Sequence, residues 1–271
     1  MENKIAVLPE ATIHYKFGGK GFPVLLLHGF GEDQHIWQQQ VEFLKAHFTI
    51  ITVDLAGTGQ SAYTGKDRVL TMESMAEDVR LILEQEHITK CILLGHSMGG
   101  YVTLAFAELF PAYLAGFGLV HSTAYADNDE KKKNRLRGIE VIEEYGAYAF
   151  LKNTIPNLFG NAFKKAAPEI INDLIEKSRA FSRKSLQDYY LAMMNRPNRN
   201  SVLSYTTKPA CIIAGTEDSA APLTDLLAQS KLSPLITLHV LDGVGHMGML
   251  EAAAEINKLL FNFIQSAAVY H

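Results

Sequence analysis

Short apolar runs alternate with helix-length amphipathic patterns through the first 122 residues, and that alternation leaves few folds open. Residues 12–16, 24–28, 49–54, 91–94 and 116–121 read as strands, and residues 36–46, 72–86 and 98–110 between them read as helices. Strands that alternate with helices form β-α units, and these build a mainly parallel sheet with helices packed on it. In the second helix Met75, Val79, Ile82 and Leu83 recur at helical spacing, which marks a core stripe and not a ligand set. The fold class is therefore α/β.

After Ser122 the pattern changes. About 80 residues pass without a convincing strand, while helical stripes follow one another. Leu136, Ile139, Ile142 and Tyr145 form one stripe, ended by Gly146, and Ile170, Ile171, Leu174 and Ile175 form another, opened by Pro168. A third helix is expected over 184–195. Strand signals resume at 210–214 and 236–241, and a long helix over 249–264 closes the chain. The expected organisation is a core domain of residues 1–122 and 206–271, interrupted by a helical cap over 123–205. A length of 271 residues fits one large core or two modest ones.

Composition removes several function classes. The formal net charge is −4, which gives no electrostatic basis for binding nucleic acid or an anionic membrane. The run Lys131-Lys132-Lys133 follows Asp127, Asp129 and Glu130, so the four-apart pairs Asp127–Lys131 and Asp129–Lys133 suit a solvated helix face. Residues 1–10 lack an apolar core long enough for a signal peptide, and no run approaches the roughly 18 residues of a membrane span. A cytoplasmic protein, monomeric or homodimeric, is expected. Cys91 and Cys211 each open an apolar strand, where free cysteine behaves as a small buried hydrophobe.

Chemistry enters at Gly95-His96-Ser97-Met98-Gly99. A serine between small residues, after an apolar strand and before a helix, is what a nucleophile elbow requires. The sharp turn strains the backbone, the glycines leave room for it, and the hydroxyl is pushed out over the sheet edge. A serine hydroxyl is a poor nucleophile at neutral pH. It needs a base within hydrogen-bond reach and an acid to orient that base. Glu217-Asp218 follows the strand ending at Ala214, and His246 follows the strand ending near Leu241. The order serine, carboxylate, histidine is the one expected when the three share the carboxyl edge of such a sheet.

These residues, with His28-Gly29-Phe30 followed by Trp37, the turn 54–61, the segment 215–222 and the pair Gly245-His246, resemble the alpha/beta-hydrolase fold superfamily over nearly the whole chain. The resemblance implies a serine hydrolase with a helical cap, similar to carboxylesterases. It implies Ser97 as nucleophile, His246 as base and then acid, and Asp218, not Glu217, as the orienting carboxylate. Some members carry the acid after an earlier strand, which here points toward Asp127, taken to lie in the first cap helix. The elbow itself places the Met98 amide in an oxyanion hole, and the resemblance gives Phe30 as the second amide. No cofactor or metal is implied. Asp54 with Gly57 and Gly59 reads as a structural turn, since the phosphate-loop lysine is absent.

His28 and His96 are expected to hold the site's loops by hydrogen bonds, and Trp37 to anchor the core. His14, His35, His47, His87, His239 and His271 lack metal-ligand spacing. Glu251 is read as a favourable charge near the start of the last helix. Candidate pocket residues are His121, at the end of a strand facing the cleft, with Phe150, Leu151, Ile155, Leu158, Phe159, Met193 and Met194 from the cap. The substrate class expected is a small or medium carboxylic ester or thioester. Two alternatives share the fold: hydrolysis of a carbon-carbon bond in a ring-fission diketone, and a hydrolase-fold sensor with slow turnover. A serine at the elbow argues against aspartate-based dehalogenase and epoxide hydrolase chemistry.

Overall fold

The computed structural model describes residues 1–9, 11–63 and 69–269. Nine strands form one sheet: β1 Glu2–Val7, β2 Ala11–Gly19, β3 Pro23–Leu27, β4 Thr49–Val53, β5 Ala62–Tyr63, β6 Cys91–His96, β7 Leu114–Val120, β8 Ala210–Gly215 and β9 Ile236–Leu241. Eight lie side by side in the order β1-β2-β4-β3-β6-β7-β8-β9, and β5 pairs with β2. From β4 to β9 every pairing is parallel, whereas β2 runs antiparallel to β1, β4 and β5.

The central strands are buried on both faces, so their side chains divide by alternation between two cores. Leu25 and Leu27 of β3 and Leu93 of β6 point to one; Val24, Leu26, Ile92 and Leu94 point to the other. The first core is covered by α2 Met72–Gln85 and α3 Met98–Leu109, and the second by α1 Gln38–Leu44 and the carboxyl-terminal helix. The stripe Met75, Val79, Ile82 and Leu83 on α2 is fully buried, and Thr71 and Ser74 close a reciprocal capping box at its start. Trp37 is also fully buried, as an anchor of the second core.

Between β7 and β8 the chain is helical, with α4 Asp129–Tyr145, α5 Ala147–Thr154, α6 Asn161–Ala166, α7 Pro168–Lys177, α8 Arg183–Asn195 and α9 Asn200–Ser204. Gly146 ends α4 with φ 92°, a conformation glycine adopts without penalty. α10 Leu223–Ser230 links β8 to β9. The closing segment expected as one helix over 249–264 is two: α11 Gly248–Glu251 and α12 Ala253–Val269, broken at Ala252, whose φ and ψ of −133° and 43° are not helical. Among the described residues no helix is long and apolar enough to cross a membrane.

Candidate active site

Ser97 occupies the single residue between the end of β6 and the start of α3, with φ 49° and ψ −115°. That is a left-handed conformation a side-chain-bearing residue adopts at a cost of order 1–3 kcal/mol, held here by its surroundings. The Ser97 N–H donates to the Val120 carbonyl at 3.0 Å, and Ser122 Oγ donates to the Ser97 carbonyl at 2.6 Å. A Cβ at Gly95 would strike the Gly99 carbonyl, and one at Gly99 would strike the Leu27 carbonyl. Both glycines are sterically required, as the pentapeptide suggested. Met98 opens α3, so its N–H has no acceptor within the helix.

His246 follows β9, and its backbone is tied at both ends of the peptide unit. Its N–H donates to the Leu158 carbonyl at 2.6 Å, and its carbonyl accepts from His96 Nε2 at 2.9 Å. Its Nδ1 lies 3.0 and 2.9 Å from the two oxygens of Asp218. Asp218 also accepts from the Ala220 and Ala221 N–H groups, both at 2.9 Å, and from His121 Nδ1 at 3.1 Å. Burial alone would raise the Asp218 carboxyl. The charge of His246 and the hydrogen bonds from both histidines outweigh it and hold the group far below the usual carboxylate range. Burial pulls the His246 imidazole down, but the Asp218 charge and hydrogen bond win and leave it above its ordinary value.

Asp218 Oδ and the ring nitrogens of His121 and His246 supply three ligand atoms within 4.8 Å of one another, the cluster that could hold a metal ion. Here the carboxylate accepts from both rings, so a cation would have to displace both hydrogen bonds. Glu217 is turned elsewhere: its carboxylate accepts from the Asn161 N–H at 2.6 Å. Asp127 precedes α4, which starts at Asp129 with Asn128 as its cap, and it binds Arg135 and Arg196 and not Lys131. Two long-range guanidinium partners replace the four-apart lysine pairing, because Asp127 is off the helix and buried.

The loop after β3 presses onto the elbow. A Cβ at Gly29 would sit 2.9 Å from His96 Nδ1 and 3.1 Å from Ser97 Cβ, so only glycine allows this approach. The Gly29 N–H donates to Glu32 Oε2 at 2.7 Å, which is also 2.9 Å from His96 Nδ1. His28 Nε2 accepts from the Leu55 N–H at 3.0 Å. His28 and His96 thus hold loops, as expected of them. Asp54 accepts from the Gln34 and Gln60 N–H groups at 3.0 and 3.1 Å, the structural turn read from its glycines.

A cavity of about 180 Å³ opens onto Ser97 and His246. Of the expected pocket residues, Leu151, Ile155, Leu158 and Met193 line it, and so does Phe30, whose amide was expected in the oxyanion hole. His121, Phe150, Phe159 and Met194 do not. His121 is fully buried behind the cavity with its Nδ1 on Asp218. Phe150 packs its edge on Phe30 at 6.4 Å, Phe159 stacks on Phe163 at 5.5 Å, and Met194, the residue after the buried Met193 on α8, is only partly buried. His271 lies outside the described residues. Tyr101, Arg135 and Tyr190, absent from the sequence reading, line the cavity too, and Tyr190 stacks flat on Phe30 with centroids 4.3 Å apart. Glu251 ends α11 two residues before α12 begins, near the start of the last helix as read from the sequence, but its carboxylate is occupied by a loop: it accepts from the N–H groups of Gly160, Gly245 and Met247 at 2.8, 3.0 and 3.0 Å.

Residues 23–253 match the alpha/beta hydrolase fold family. The chain belongs to that family. A thermophilic esterase from Thermogutta terrifontis, solved with malate bound, superposes with a TM-score of 0.91 at 28% identity, covering 98% of this chain and 99% of the other. An enol-lactonase from Burkholderia xenovorans LB400 shares the fold, with a TM-score of 0.88 at 20% identity over 97% of this chain and all of the other. In sequence, the dihydrolipoyllysine-residue acetyltransferase component of the acetoin cleaving system of Pseudomonas putida is 29% identical over 262 residues. That match covers 93% of this chain and 66% of the relative.

Proposed function

We propose that this alpha/beta hydrolase is a serine esterase that cleaves small carboxylic esters or thioesters through an acyl-enzyme. The observation that carries the reading is the strained Ser97, opening on one cavity with a His246 whose far nitrogen is fixed on Asp218. Ser97 Oγ attacks the carbonyl carbon while His246 Nε2 takes its proton, and Asp218 fixes the tautomer and stabilises the imidazolium. The Met98 and Phe30 N–H groups receive the oxyanion, each worth roughly 3–4 kcal/mol in the transition state. The proton passes from His246 to the leaving alkoxide or thiolate. A water activated by the same imidazole then releases the acid and restores Ser97.

Residues 123–205 act as a cap in this reading, with Leu151, Ile155, Leu158 and Met193 limiting substrate size. The cavity is smaller than the roughly 300–1,000 Å³ of sites for drug-sized ligands, which supports short acyl and alcohol groups over a bulky diketone. A series of nitrophenyl esters of increasing acyl length tests the proposal. Multiple turnovers are expected, fastest on the shortest chains and lost in Ser97→Ala. Wild-type rates in that variant would overturn it.

A further inference from the structure

One positive charge is left over in the wall of the cavity. Asp127, a single buried carboxylate, accepts from two guanidinium groups: Arg135 through Nε at 2.5 Å and Nη2 at 3.4 Å, and Arg196 through Nη1 at 2.8 Å. A guanidinium carries its charge at any working pH. Arg196 is spent on structure. It is buried, donates to the Met193 and Tyr125 carbonyls at 2.6 and 2.9 Å, and lies over the Tyr101 ring at 3.7 Å. Arg135 is not. It lines the cavity, and among the described residues its Nη1 makes no hydrogen bond.

The other polar groups on the wall sharpen the picture. Tyr101 and Tyr190 both line the cavity, and among the described residues neither hydroxyl makes a hydrogen bond; the Arg135 guanidinium sits 5.3 Å from the Tyr190 ring centre. Glu32 is the one carboxylate among the lining residues, and its Oε2 is committed to the Gly29 N–H and His96. A guanidinium with a free donor and two phenols, in a partly desolvated cavity, suits a small planar anion.

We infer that the substrate carries a free carboxylate, received by Arg135 with Tyr101 and Tyr190, so that the preferred esters are small anionic ones such as half-esters of short dicarboxylic acids. This rests on the serine esterase reading and narrows its substrate class. Arg135 and the phenols bind the carboxylate and leave the bond chemistry unchanged. The ester C–O bond breaks as the Ser97 Oγ–C bond forms, the alcohol leaves with the proton carried by His246, and water releases the second acid.

Two isosteric pairs of esters, followed by acid release at constant pH, test this. Methyl hydrogen succinate is set against methyl 4-methylpentanoate for a carboxylate on the acyl side. Carboxymethyl acetate is set against isobutyl acetate for one on the alcohol side. In at least one pair the anionic ester should have a kcat/KM ten-fold or more above its neutral isostere, the order of a charge-assisted hydrogen bond. That ratio should fall at least ten-fold in Arg135→Met and recover in part in Arg135→Lys. Tyr190→Phe, which keeps the Asp127 pairing, should lower the same ratio and covers the case of an Arg135 variant that does not fold. Neutral isosteres hydrolysed as well as the anions in both pairs, with turnover still dependent on Ser97, would overturn the inference and leave the esterase reading intact. Absence of Ser97-dependent turnover on all four would overturn both.

Discussion

Glu251 holds the His246 loop from below, and its removal should be felt in stability and in rate. Its carboxylate is the acceptor for three backbone N–H groups: Gly245 and Met247 on either side of His246, and Gly160, two residues after the Leu158 whose carbonyl accepts from the His246 N–H. Glu251→Ala takes away three charge-assisted hydrogen bonds, each worth about 1.5–3 kcal/mol. Glu251 is half-buried, so water replaces part of the loss, and about 2–4 kcal/mol of net destabilisation is expected. For 271 residues, an unfolding entropy of about 2.1 cal/mol/K per residue turns 3 kcal/mol into a Tm lower by about 5 °C. Calorimetry measures the shift, and esterase assays below the transition measure the rate, which should fall with it because the loop carries the imidazole. Glu251→Gln keeps an oxygen for Gly160 and Gly245 but turns an amide toward Met247, so it should recover most of the stability. An Ala variant that melts within 1 °C of wild type would refute the role given to these bonds.

The fall of kcat/KM at acid pH should have its midpoint above the roughly 6.5 of an ordinary imidazole, because only neutral His246 can take the proton and Asp218 stabilises its charged form; a midpoint below 6 would contradict this. His121→Ala removes a donor from Asp218 Oδ2 and should lower kcat/KM about ten-fold. His121→Asn should retain most of the rate, since an amide nitrogen can replace Nδ1 and asparagine tolerates the φ of 51° found there. Equal rates in both variants would mean that the contact does not position Asp218. Gly95→Ala should yield no soluble folded protein, while Gly243→Ala, at φ 69° with no atom near its Cβ, should cost only about 1–3 kcal/mol; comparison of the two by circular dichroism separates steric exclusion from backbone strain.

The central parallel strands were legible because each is a short apolar run, buried on both faces and bounded by turn residues. β1 was not. It lies at the sheet edge, where Ile5 and Val7 are exposed, and its first three residues are polar, so the apolar run 5–8 covers only its second half. The elbow, Asp218 and His246 could be placed because each follows a strand, and strand ends in a parallel sheet meet at one edge. The cavity wall was harder to read, since helix rotation decides which side chains of the helices between β7 and β8 point inward. Leu151 and Met193 face the cavity, while their chain neighbours Phe150 and Met194 do not. Arg135 was hidden by its surroundings: it follows three lysines on a helix that reads as solvated, and its partner Asp127, shared with Arg196, comes from outside that helix. Glu251 binds backbone, which leaves no side-chain pattern in a sequence. Its one signal is an acidic residue in the apolar stretch five positions after His246.

Covalent labelling of Ser97 tests the central claim most directly. The protein is incubated with a small alkyl fluorophosphonate at the pH of maximal esterase activity, and its intact mass and remaining activity are followed together. One adduct per chain should form, map to Ser97 after proteolysis and abolish turnover in proportion to labelling, while Ser97→Ala stays unlabelled. An adduct mapped to another residue, or full labelling of Ser97 with turnover intact, would contradict the mechanism.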